Sequence, residues 1–187
     1  MITTEQIKTL RDMTGVSIAQ CKKALEESKG NMDQAILELR KKSADIALKK
    51  GDRELMAGVV QSYIHSNKTI GTLVELACET DFVARNEEFV TLARDIAMHI
   101  AATAPIYTSE SDISAGARTE ALELVKKDLG GDVSEEQLNA YLAERTLLLQ
   151  RFVKNPEITI QELINNGVQK FGEKIEVSRF VRFSVAK

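Results

Sequence analysis

The chain reads as an α+β protein: a unit of three short helices over residues 1–40, then a core in which a three-stranded antiparallel sheet packs with helices. Three observations predict this. Apolar residues recur at helical spacing behind capping residues in the first 40 positions. Two runs rich in strand formers, residues 58–65 and 70–78, flank the polar turn Ser66-Asn67-Lys68. The closing run, Ile175 to Val185, alternates apolar and polar side chains, as a strand with one buried face does.

In the first unit, Thr4 can cap a helix with Ile7 and Leu10 on its apolar face, and Thr14-Gly15-Val16 breaks it. Ser17 to Gln20 has capping-box spacing, which satisfies two orphan N–H groups reciprocally. Ile18, Cys21 and Leu25 form the inner stripe behind it, and Gly30 is a natural stop. Asn31 caps a third helix with Met32, Ala35, Ile36 and Leu39 inward. So small a unit has little core and reads as a docking module. Its broken loop, with Val16, lies beside Lys8 and Arg11, which on residue type alone are solvated helix charges.

Residues 41–55 follow as a linker, most of which lies in the basic run RKKSADIALKKGDR at 40–53. No aromatic is interleaved for base stacking, so a solvated helical linker is preferred to an RNA-binding arm. The core spans 56–187. After the hairpin, Glu75 to Asn86 passes from an apolar strand into a polar corner. Thr80 and Asp81 can start a helix by accepting from free N–H groups. Phe82 has two placements open on residue type: tucked in over the end of the core, or held out towards a partner.

Phe89, Leu92, Ala93, Ile96, Ala97, Ile100 and Ala101 then trace one face of a long helix ended by Pro105. His99 lies off the centre of that stripe, which places it at the surface or flank. Residues 106–116 read as a loop. A helical pair follows at about 117–149, its halves at 117–128 and 134–149 divided by Gly130-Gly131. Arg151 to Pro156 is extended, Thr159 caps a last helix, and Gly172 stops it. In the final strand Ile175, Val177, Val181 and Phe183 share a face, with Arg179 and Phe180 breaking the pattern. A sheet edge or face left open there is a candidate dimer seam.

The net charge of −3 gives no general pull towards nucleic acid or membranes, and no apolar run is long enough for a membrane span. No signal peptide is visible at the start. Cys21 and Cys78 read as buried free thiols of a reducing compartment. Two histidines are too few for a metal cluster. There is no phosphate-cradling loop, nucleophile elbow or CxxC pair. The expectation is an interaction protein without cofactor, not an enzyme.

Several segments together resemble one family, elongation factor Ts. They are Leu10-Arg11-Asp12-Met13-Thr14-Gly15 with Cys21 to Leu25, then Glu75 to Asn86 containing TDFVARN, then Ala97 to Ala102. Gln150 to Lys154 and Gly172 through Phe183 join them, so the resemblance covers nearly the whole chain. It implies a ubiquitin-associated-like first domain. It also implies a cytoplasmic nucleotide-exchange factor that binds elongation factor Tu, GDP-bound or nucleotide-free, with no nucleic acid or membrane partner. The primary contacts it implies are Thr80, Asp81, Phe82 and Val83, which disturb the partner's Mg²⁺ site, with Phe82 held outwards. Secondary contacts implied are Lys8, Arg11, Val16, Ile70, Gly71, Arg85, Asn86 and His99, with Arg85 and Asn86 also serving to start the long helix. The length matches the family's short form, which implies a homodimer in which His99 and Ile70-Gly71 come from the protomer opposite Phe82. Two departures stand out. Val16 to Gln20 replaces a Gly-Met-Met-Asp pattern, and Val181 stands where some short forms have a cysteine, so no intersubunit disulfide is available there.

Overall fold

The computed structural model describes residues 2–185; Met1 and the end of the predicted core at 186–187 lie outside them. Helix α1 (Thr4–Thr14) is capped one residue earlier than the sequence implied. Thr3 accepts from the Gln6 N–H, and Gln6 returns a bond to Thr3. The helix ends at Gly15, whose φ of 71° is a left-handed stop that favours glycine. Ser17 caps α2 (Ile18–Glu27) by accepting from the Gln20 N–H, but the return bond of the expected capping box is not made, the Gln20 amide oxygen accepting from Gln169 instead; Asn31 caps α3 (Met32–Lys49). Leu10, Val16, Cys21, Leu25, Ala35 and Leu39 close a small core between them. Ile18 does not join this stripe; it sits exposed in the first turn of α2.

The stretch expected to be a solvated linker is largely the second half of α3. Ser43 is buried, and Ile46 and Ala47 pack against the main core. Spacings of three and four residues from Leu39 through Ser43 to Ile46 and Ala47 keep one face inward. Side-chain amides tie the two units together. Asn155 donates to the Met13 carbonyl at 2.9 Å and Asn166 to the Thr14 carbonyl, so the core supplies partners for the orphan carbonyls ending α1. Gln169 donates to Gln20 and accepts from Ser43.

Strands β1 (Ala57–Ile64) and β2 (Ile70–Cys78) form the expected antiparallel hairpin. Helix α4 (Asp81–Ala84) and α5 (Glu87–Thr103) follow, then α6 (Ala115–Leu129) and α7 (Glu135–Ala143). The second helix of the pair is shorter than predicted: α7 stops at Ala143 and residues 147–149 form a tight 3₁₀ turn. Residues 151–156, expected to be simply extended, belong to a small ribbon of β3 (Arg151–Phe152) and β4 (Asn155–Thr159). Helix α8 (Ile160–Phe171) carries the predicted Thr159 capping box, and β5 (Ile175–Ser184) pairs with β2.

The sheet order is β1-β2-β5. Helices α5 and α8 cover one face, burying Phe89, Ile96, Ile100, Ile160 and Ile164 against Val74, Leu76 and Val177. Each fully buried side chain of this kind contributes about 2 kcal/mol. The single-face reading of β5 fails at Ser178. Val177 faces Leu76 and Arg179 faces Glu75, so Ser178 is an extra residue, a β-bulge. One inserted residue reverses the facing of everything after it. Phe180 and Arg182 therefore turn towards the helices, where the Arg182 Nε donates to the Ala101 carbonyl. Val181 and Phe183 turn out, beside exposed Val60, Ile64 and Leu73 of the neighbouring strands. On the central strand, Gly71 pairs with both Ile64 and Phe183, and a Cβ there would lie 2.8 Å from Ile64 Cδ1.

Candidate functional site

The site grows from the end of β2. Cys78 and Leu76 are anchored in the core, so the chain leaves the sheet from a fixed point. Thr80 then caps α4, its hydroxyl accepting from the Val83 N–H at 3.4 Å. A single helical turn divides its side chains in two. Val83 and Ala84 go into the core, and Asp81 and Phe82 go out. Phe82 is 84% exposed, the most exposed large apolar side chain among the described residues. Asp81 makes only a loose, solvent-screened pair with Arg85 at 3.6 Å and keeps its carboxylate available. Asn86 accepts from the Glu88 N–H and caps α5, so its predicted helix-starting role is what the geometry displays.

The other predicted residues fall into groups. Ile70 and Gly71 begin β2, while Phe82 follows its end. A nine-residue strand separates them by roughly 25–30 Å. Thr72 donates to the Ala97 carbonyl, which puts the C-terminal half of α5, and with it His99, at the Ile70 end. A single chain thus does not bring these residues to Phe82. Lys8 and Arg11 are exposed on α1, whereas Val16 is buried beneath the loop.

His99 corrects the sequence reading most sharply. It is fully buried, not at the flank, because residues 147–153 cover a second face of α5. Its Nε2 bonds the Gln150 Oε1 at 2.9 Å and its Nδ1 accepts from the Val153 N–H at 3.4 Å. Burial holds its pKa below the ordinary 6.5, against the raising effect of Gln150. The unfolded chain therefore takes up a proton near pH 6.5 while the folded chain resists it, so stability present above that pH is lost as pH falls. Melting temperature should fall as pH drops below about 6.5, and the fall should flatten in His99→Asn. An unaltered pH profile in the variant would show that another group is responsible.

Sequence reasoning missed Glu173 and Glu79, which cross-tie the corner. They lie 94 residues apart, and no local spacing announces their meeting. Burial would raise the Glu79 carboxyl, but the Lys174 N–H and the Arg53 guanidinium outweigh it and hold the group below its ordinary value. Among the described residues no group of three or more His, Cys, Asp or Glu is placed to hold a metal, and no helix is long and apolar enough to cross a membrane.

Comparison with known proteins adds to this geometry. The family described as Elongation factor TS matches residues 2–187. Elongation factor Ts of Thermodesulfovibrio yellowstonii is 46% identical over 194 residues, covering 100% of this chain and 97% of its own. The Thermosipho melanesiensis protein of the same name is 41% identical with both chains fully covered, and that of Carboxydothermus hydrogenoformans is 41% identical with 90% of its length covered. Likeness of this extent runs through both the helical unit and the sheet core, corner included, and the chain belongs to the elongation factor Ts family.

Proposed function

We propose that this chain is a guanine nucleotide exchange factor that binds elongation factor Tu, in its GDP-bound or nucleotide-free state, in the cytoplasm. It makes and breaks no covalent bond and carries no cofactor. The observation behind the reading is Phe82: an aromatic held 84% exposed on a corner whose neighbours are anchored in the core. A rigid apolar wedge can enter a pocket between packed helices and shift them. In GTPases, Mg²⁺ and the phosphate loop hold the nucleotide, so displacing either one loosens it. Asp81 is free to bond polar groups at the pocket rim. Factor and nucleotide then weaken each other by the same factor, since the coupling is reciprocal.

The proposal includes a homodimer and a first domain of ubiquitin-associated-like kind that docks through Lys8, Arg11 and the Gly15 loop. Support for the dimer comes from the outer sheet face, where Val60, Ile64, Leu73, Val181 and Phe183 stand exposed together. Two such faces, closed by a twofold axis, would cover one another. They would also bring the Ile70-Gly71 end of one protomer into the same complex as the other's Phe82. In this arrangement His99 braces that end from within and Val83 anchors the wedge, both acting from beneath the surface. The test is release of labelled GDP from elongation factor Tu, expected to be faster with the chain present; an unchanged rate would sink the reading.

A further inference from the structure

A wedge can move another protein's helices only if its own support yields less than they do. Helix α4 is one turn of four residues and cannot hold itself. The support comes from Glu173, in the connection between α8 and β5. Its Oε2 accepts the Glu79 N–H at 3.1 Å and the Thr80 N–H at 3.0 Å, and its Oε1 accepts the Thr80 hydroxyl at 2.6 Å. That hydroxyl is the same atom that caps α4 through the Val83 N–H. The tie is reciprocal. The Glu79 carboxylate accepts the Lys174 N–H at 2.5 Å and both oxygens accept from the Arg53 guanidinium, at 3.2 and 3.0 Å. Beneath them the Cys78 thiol donates to the Thr80 carbonyl at 3.3 Å.

Glu173 has no ion pair among the described residues; its bonds go to the corner. Charge-assisted bonds to backbone N–H groups are short and about twice as strong as neutral ones, so they suit a fixed mount. The helix stop at Gly172 and the ladder of β5 from Ile175 do not depend on the Glu173 side chain. We propose that Glu173 is a positioning residue of the exchange site, bonding the 79–80 backbone so that Phe82 is presented rigidly to the partner GTPase. The assignment rests on the reading of Phe82 as the wedge.

A double-mutant cycle separates positioning from general support. Glu173→Ala, Phe82→Ala and the double variant are compared by the rate of GDP release from elongation factor Tu at saturating factor, and by melting temperature. Glu173→Ala should slow maximal exchange about tenfold when Phe82 is present, because bonds to a charged group are lost from the mount. It should have almost no further effect in the Phe82→Ala background, where there is no wedge to hold. Glu173→Gln should be intermediate, about threefold, since its amide oxygen still accepts the two N–H groups. Equal losses in both backgrounds, or none where Phe82 is intact, overturn the assignment while leaving the wedge standing. If Phe82→Ala itself exchanges normally, the wedge reading falls and this assignment with it. Should Glu173→Ala not fold, the cycle run with Glu173→Gln decides the matter by the same comparison.

Discussion

Replacing Phe82 with alanine should cut exchange on elongation factor Tu by about thirtyfold or more while leaving the protein folded. The size follows from what a buried aromatic anchor contributes at the centre of an interface, about 2–4 kcal/mol on truncation. Retention of the fold follows from the placement of the side chain. Phe82 is held outside, whereas Val83 and Ala84 hold α4 to the core, and an exposed substitution changes stability by about 0.5 kcal/mol or less. Exchange rate and melting temperature measured on one preparation test both halves. A variant that melts much lower yet exchanges normally in its folded fraction would make Phe82 a core residue in function.

The second large effect concerns assembly. Phe183→Asp should convert the proposed homodimer to monomers, seen by light scattering at micromolar concentration as a halved mass. An unpaired carboxylate at the centre of an apolar interface costs about 3 kcal/mol or more, over a hundredfold in affinity. The fold should survive, because Phe183 points outwards after the bulge and is 64% exposed in the single chain. Exchange should fall as well, since each partner would lose the surface at Ile70-Gly71 that the second protomer supplies. A parent protein that is strictly monomeric and fully active would remove both the dimer and the shared surface.

The elements legible in the sequence were those with local causes. Ser17, Asn31 and Thr159 cap helices at the positions expected of them, and the hairpin closes over its polar turn. Features that depend on distant parts of the chain were not legible. The bulge at Ser178 depends on how β5 meets β2; the break in alternation at Arg179 and Phe180 marked the irregularity, but not that the facing of the residues after it reverses. His99 was misplaced because a helix with two covered faces has no single stripe, and residues 147–153 supply the second cover from elsewhere. For the site, residue type left Phe82 open between core and surface. Only the TDFVARN motif pointed outwards, and the local cap at Thr80 explains how that orientation is achieved. Glu173 reaches the corner from a segment 93 residues after Thr80, a contact that periodicity does not report.

Turnover tests the exchange function most directly. Elongation factor Tu loaded with labelled GDP is mixed with excess unlabelled nucleotide and the chain at about a hundredth of the GTPase concentration. Because the coupling is reciprocal, incoming nucleotide releases the factor for another round. Nearly all of the label should leave many times faster than its spontaneous rate. Label released only in proportion to the chain added, or at the spontaneous rate, would contradict it.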